Sequence, residues 1–267
     1  MGISYLNNAR NSKKDEFYTE YGVIEKEISS YLDFDPELFS QKTILLPCDD
    51  PEWSNFTKYF SQNFENFKLK KLISTSYAIN SKKYKTNYQP TLFETKEKKF
   101  DNNLSKSNGK IFTLEKDKNF DGKINIEDLN WNYLNGDGDF RSSEIQKLKD
   151  ESDIIITNPP FSLWREFLNW VIKAKKKFII IGNMDAITYK DVFPLIRDNK
   201  IWLGAGLNDG RNEWYRVPSD SEEYHKEEAG VKYAFVKKTI WFTNIDHGRR
   251  HRPMELMSEK DVVKFIR

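Results

Sequence analysis

The stretch DIIITNPPFSLWREFLNWVIKAKKKFIIIGN, residues 153–183, decides the fold. Asp153 to Thr157 carries a continuous isoleucine run, too short for a helix, and reads as a strand buried on both faces. Leu163 to Ala174 reads as a helix and Phe178 to Asn183 as a second apolar strand. A strand, a helix and a strand in that order make a parallel crossover unit. Asn158, Pro159, Pro160 and Phe161 then fall at the carboxyl end of the first strand, where open α/β sheets place their ligands.

The same alternation extends outward in both directions. On the C-terminal side, Tyr189 to Arg197 reads as a helix and Ile201 to Gly204 as a strand. Val231 to Val236 and Thr239 to Thr243, separated only by Lys237 and Lys238, predict a closing antiparallel hairpin. Toward the N-terminus, Thr43 to Leu46 is an apolar strand stopped by Pro47, followed by a helix that spaces Trp53, Phe56, Phe60 and Phe64. Leu69 to Ser74 supplies the next strand, and Val23, Ile24, Ile28 and Leu32 place an amphipathic helix over 22–32. Between 78 and 134 the composition turns to Lys, Asn, Asp and Thr with no sustained period, which reads as an insertion within one domain spanning 1–267. The expected fold is therefore α/β, a mostly parallel, doubly wound, Rossmann-like sheet with a C-terminal antiparallel hairpin and a polar insertion.

Composition excludes several functions. No run approaches the ~20 apolar residues of a membrane span, and the polar start lacks a signal-peptide core, so a cytoplasmic protein is expected. One cysteine, Cys48, and three histidines offer neither a disulfide nor a zinc cluster, and no metal is expected. The net charge of +2 is the small difference between 43 basic and 41 acidic side chains, so any polyanionic partner must be met by local clusters. Such clusters occur at Lys175 to Lys177, at Lys237 and Lys238, and at Arg249, Arg250, His251 and Arg252.

The chemistry of the Asn-Pro-Pro-Phe loop is specific. The Asn158 amide oxygen and the Pro159 carbonyl can both accept from an amino group. The two prolines stiffen the loop, and Phe161 offers a face on which a planar base can stack. Such a loop aligns an amino nitrogen for direct attack on an electrophilic carbon.

These residues resemble motif IV of amino-group methyltransferases, and the wider chain resembles the EcoRI-like DNA adenine methyltransferase family. The similarity runs through DEFYTEY (15–21), CDDPEWSNFTKYF (48–60), GDGDFRSSE (136–144), TNPPFSLWREF (157–167), FIIIGNMDAITYKDVFPLI (178–196) and WFTNIDH (241–247). It implies a class I methyltransferase fold, S-adenosylmethionine as cofactor and double-stranded DNA as substrate. The chain is expected to act as a monomer, with any cognate restriction enzyme not a physical partner. By the same resemblance, Tyr18 and Thr19 lie against the methionine end of the cofactor. Cys48, Asp49, Asp50 and Asn55 follow the first strand, with Asp49 or Asp50 holding the ammonium. Asp139 accepts from the cofactor adenine, Phe140 packs on its ring, and Asn158 adjoins both cofactor and base. CDDPEWSN lacks the glycine-rich loop usual at this position, and no acidic residue ends the second strand for the ribose. Ser162 and Arg165, at the start of the following helix, are placed to touch a phosphate or line the base pocket, as are Arg249, Arg250 and Arg252 on phosphates, and residues 205–267, the closing hairpin included, are expected to hold DNA-recognition elements.

Two other signals point elsewhere. DKNFDGKINIED (117–128) matches a calcium-loop spacing, but the strand-like IFTLEKD before it favours a hairpin turn. Pro47 and Cys48 mimic the pair of cytosine carbon-5 methyltransferases, but they precede the first helix rather than following the fourth strand. A release-factor glutamine methyltransferase shares the Asn-Pro-Pro-aromatic loop and is the alternative enzyme. A DNA-binding relative without catalysis is the alternative from another class.

Overall fold

The structure, a computed structural model, describes residues 19–49, 54–78, 98–206, 213–217, 224–236 and 238–253. Helix α1 (Tyr21–Leu32) buries Ile24, Glu27, Ile28 and Tyr31 along one face. Strand β1 (Thr43–Leu46), helix α2 (Asn55–Gln62) and strand β2 (Lys71–Ser76) form the expected crossover unit, with β1 and β2 parallel and Thr43 opposite Lys71. Helix α3 (Asn102–Ser107) leads to β3 (Lys110–Leu114) and β4 (Asn130–Tyr133). After α4 (Ser143–Glu151) come β5 (Ile154–Thr157), α5 (Trp164–Lys173) and β6 (Lys177–Asn183). A 3₁₀ turn over Met184–Thr188, the short α6 (Phe193–Arg197) and β7 (Trp202–Leu203) complete this part. The remaining strands are β8 (Glu213–Arg216), β9 (Lys226–Glu228), β10 (Val231–Val236) and β11 (Thr239–Thr243).

Among the described residues the main sheet has eight strands in the order β4-β3-β2-β1-β5-β6-β11-β7. The central four, β2, β1, β5 and β6, are parallel. Every residue of β1 and β5 is buried, as a strand covered on both faces requires. Strand β3, between β2 and the edge strand β4, instead alternates buried and half-buried residues, so it reads weakly against the polar sequence around it. Strands β3 and β4 lie in the region read as an insertion, yet they extend the sheet antiparallel from β2 and bury Phe112 and Trp131. The calcium-like loop joins β3 to β4 as a hairpin connection. It leaves from Leu114, opposite Leu72, and so sits at the amino edge of the parallel strands. Its Asp117, Asn119, Asp121 and Asp128 side chains accept from the loop's own backbone amides.

The expected closing hairpin is corrected. β10 pairs with β8 and β9 in a separate three-stranded antiparallel sheet, whereas β11 inserts between β6 and β7. The physical reason is burial: all five residues of β11 are buried, which only a slot inside the main sheet provides. The switch occurs at Lys238, which takes a left-handed φ of 58° and offers its carbonyl to Met184 N at 2.7 Å. No helix among the described residues is long and apolar enough to cross a membrane.

Candidate active site

Strand order reverses between β1 and β5, so the crevice beyond their carboxyl ends is the switch point where such sheets bind ligands. The turn after β1 enters this crevice. Cys48 adopts a left-handed φ of 69°, a conformation that glycine takes freely, and its Sγ lies 3.5 Å from the Tyr77 hydroxyl at the end of β2. Asp49 is buried, and Ser54 Oγ donates to its Oδ1 at 2.8 Å. Thr157 Oγ1 lies 2.5 Å from Oδ2 and 2.7 Å from the Pro47 carbonyl. Ser54 also caps α2 by accepting from Phe56 N at 3.1 Å, and Ser74 donates to the Asp49 carbonyl. The carboxylate nominated for an ammonium group therefore also fastens β1 to β5 and to the start of α2.

Thr19 joins two of the expected segments. Its carbonyl accepts from Asn55 Nδ2 at 2.8 Å, and its hydroxyl accepts from Asn158 Nδ2 at 3.4 Å. Tyr18 and Asp50 lie outside the described residues. The structure thus brings Thr19, Cys48, Asp49, Asn55 and Asn158 into one place, from three segments remote in sequence.

The acidic loop reaches the same edge through its glycines. Gly138 has φ of 85°, and a Cβ there would overlap the Ser76 carbonyl, so only glycine lets the loop close on the end of β2. Ala78 N donates to the Asp137 carbonyl at 2.8 Å. Asp139 is held by Arg141, whose Nε and Nη2 donate to its two oxygens at 2.8 and 2.6 Å; Arg141 also reaches Glu166 at 3.4 Å. These carboxylates, Asp139 first, push the guanidinium's pKa upward. Phe140, expected on a ligand ring, is fully buried and packs edge-on against Phe167 and Trp170.

In the Asn158 loop Pro159 is buried, while Asn158, Pro160, Phe161 and Ser162 are half-buried. Trp164 belongs to the core: its Nε1 donates to the Ile181 carbonyl at 2.8 Å, and its ring lies against Gly182. Arg165 is exposed and paired with Asp191 at 2.7 Å.

The arginines of the basic cluster, expected on phosphates, also make contacts within the chain. Arg250 stacks on Trp202, 3.6 Å from the ring centre, and donates to Asp246 and Asn199, each at 2.8 Å. Arg249 donates to the Ala205 carbonyl at 2.7 Å, and Arg252 is exposed. Lys176 binds the Asp150 and Ser152 carbonyls, and Lys238 pairs with Asp185; Lys237 lies outside the described residues.

One residue escaped the motif reading altogether. Glu27 is fully buried, and its carboxylate accepts from Tyr31 Oη at 2.8 Å, from Ala205 N at 2.9 Å and from Gly206 N. Burial pushes its carboxyl pKa upward against these donors and Arg249. A signal was present: Glu27 stands on the apolar face defined by Ile24, Ile28 and Tyr31, where an acid needs partners.

A doubly wound sheet with an Asn-Pro-Pro-Phe loop at its switch point defines a class I methyltransferase. The chain belongs to the adenine-specific methyltransferase EcoRI family, whose model matches residues 5–265. It is 42% identical to the Type II methyltransferase M.EcoRI of Escherichia coli over 94% of this chain and 71% of that protein. It is 30% identical to the Type II methyltransferase M.MgeORF184P of Mycoplasma genitalium, over 93% of this chain and 67% of that one. Against the Type II methyltransferase M.MpnI of Mycoplasma pneumoniae the identity is 29%, over 91% and 65%. No solved structure matches the chain significantly.

Proposed function

We propose that the protein transfers a methyl group from S-adenosylmethionine to the exocyclic amino nitrogen of an adenine flipped out of duplex DNA. The observation that carries this is the Asn158 amide, held at the switch point through its nitrogen by Thr19. With the nitrogen donating there, the amide oxygen is the end that accepts from a substrate amino group. Bound S-adenosylmethionine supplies an electrophilic methyl group on a sulfonium centre.

The crevice suits this cofactor. Its side chains are acceptors, from Thr19 and Asn158 to Asp137 and Asp139, matched to an ammonium, ribose hydroxyls and an exocyclic amine. The Gly138 approach brings the acidic loop within their reach. Thr19, the Cys48–Asp49 turn and Asn55 would border the methionine end, with Tyr18 and Asp50 beside them. Asp139 would serve the adenine end once Arg141 releases one of its oxygens. Because Phe140 is core, stacking on the cofactor ring is not assigned to it.

Asn158 and the Pro159 carbonyl orient the target amino group by accepting its hydrogens as positive charge develops on nitrogen. Pro159 and Pro160 fix the loop, Phe161 stacks on the extruded base, and Ser162 and Arg165 steady its phosphate. Replacing Asn158 with Ala should lower the single-turnover methylation rate of plasmid DNA about a hundredfold while changing DNA affinity far less. Phe161→Ala should instead reduce the fluorescence gain of 2-aminopurine at the target position. A wild-type rate in Asn158→Ala would remove the loop from catalysis.

A further inference from the structure

The small sheet carries an unusual outer surface. Directly opposed residues of antiparallel strands share a face, and β10 sets Tyr233 against both Arg216 and Lys226, and Phe235 against Trp214. These five residues therefore lie on one side. On the other side Tyr215 and Ala234 are only 2% and 4% exposed, which makes the first side the outward one. Trp214 is 38% exposed and tilts against Phe235 with ring centres 4.8 Å apart. The Lys226 ammonium stands 4.5 Å above the Trp214 ring and 5.1 Å from that of Tyr233, with Glu228 at 2.9 Å. Arg216 is exposed beside them.

Topology attaches this sheet at the edge of the main sheet that carries the candidate site. Phe242 of β11 pairs with Leu203 of β7, so the chain departs from β7 toward the edge where β11 begins. Thr239, the first residue of β11, lies opposite Asn183, the carboxyl end of β6. Both connections to the small sheet thus leave from the edge that carries the Asn158 loop. Its stem is fastened, because Glu27 binds the Ala205 and Gly206 amides and Arg249 binds the Ala205 carbonyl.

We propose that the outward face of the β8-β10-β9 sheet is a duplex-DNA contact surface of this enzyme, with Arg216 and Lys226 on phosphates and Trp214 against sugars or base edges. The inference rests on the DNA methyltransferase reading above. Charge complementarity selects the partner: two cations flank the exposed Trp214 and its half-buried neighbours, against one acid, Glu228, among the described residues of this face, and the alternation of cation and aromatic ring suits a polyanion with flat, partly apolar bases. The assignment also moves the main phosphate contacts away from Arg249, which braces the stem of the sheet, and Arg250, which stacks on Trp202.

The test measures binding of the full-length protein to a linear duplex cut from unmethylated plasmid, across a salt series. Arg216→Ala/Lys226→Ala should flatten the slope of log affinity against log salt by about two units. Trp214→Ala should weaken binding about tenfold at unchanged slope, and Trp214→Phe should restore much of it. Undiminished binding of S-adenosylhomocysteine shows that the variants are folded. A double variant with wild-type slope and affinity overturns the proposal. So does a variant that loses self-association in sedimentation while keeping its slope, which would make the face a contact between copies. If wild-type protein neither binds nor methylates the plasmid, the enzymatic reading itself fails, an outcome distinct from a variant-specific null.

Discussion

Cys48 illustrates how one residue can stand in for a missing motif. Class I sheets commonly place glycines after the first strand so that the backbone can approach a ligand. This chain has none there, but Cys48 takes the left-handed conformation itself, at φ 69°. A non-glycine residue pays about 1–2 kcal/mol for that region, and a β-branched one is a true outlier. If the backbone shape is what matters, Cys48→Gly should bind S-adenosylhomocysteine as well as wild type, and Cys48→Val should bind it at least about tenfold more weakly, the equivalent of about 1.4 kcal/mol. Equal weakening in both variants, measured by calorimetry, would show that the sulfur and its contact with Tyr77 carry the effect instead.

Among the elements, those buried on both faces were legible and those that depend on distant partners were not. The isoleucine run of β5, the apolar β1 and β6, and the Asn158 loop stand out because burial and chemistry are encoded locally. Strand β4, the four residues Asn-Trp-Asn-Tyr, has no pattern of its own and exists because β3 offers it an edge. Adjacency along the chain argued for pairing β10 with β11, but adjacency carries no information about the vacant slot beside β6 that β11 fills. Within the site, Asn158 and Asp49 could be read from motifs, whereas the Thr19 bridge and the Glu27 clasp depend on segments that meet only in the fold. The 249–252 turn makes the same point, since Arg249 reaches the Ala205 carbonyl and Arg250 reaches Trp202 and Asn199, contacts that only the fold brings about. Asp246 is partly exposed; burial raises its pKa, but hydrogen bonds from His251 and Arg250 outweigh this and leave it lowered. A depressed folded pKa contributes stability above the unfolded value and loses it as pH falls through the folded one. Arg250→Ala should therefore lower Tm at neutral pH, and the gap from wild type should narrow below about pH 4. A gap constant down to about pH 2 would assign the loss to Trp202 stacking alone.

Taken as a whole, the molecule assembles its site from contacts that span most of the chain. Thr157 meets Asp49 across 108 positions, Asn158 meets Thr19 across 139, and Ala205 meets Glu27 across 178. Helix α1 belongs to two of these links: the segment just before it reaches the Asn158 loop, and its inner face clasps the stem of the small sheet. Ordering the crevice should therefore be felt at the stem. S-adenosylhomocysteine at a hundred times its Kd should stabilise the native state by about 2.7 kcal/mol, a Tm increase of roughly 5–10 °C for a chain of this size. The shift should move one cooperative transition rather than part of a biphasic one. Amide exchange gives the finer reading, because Ala205 and Gly206 donate to the buried Glu27 carboxylate and should exchange more slowly with ligand bound. Asn55→Ala removes the hydrogen bond to the Thr19 carbonyl and should shrink both effects together. Two separate transitions, of which only one responds to ligand, with exchange at Ala205 and Gly206 unaltered, would show that the crevice and the small sheet are independent units.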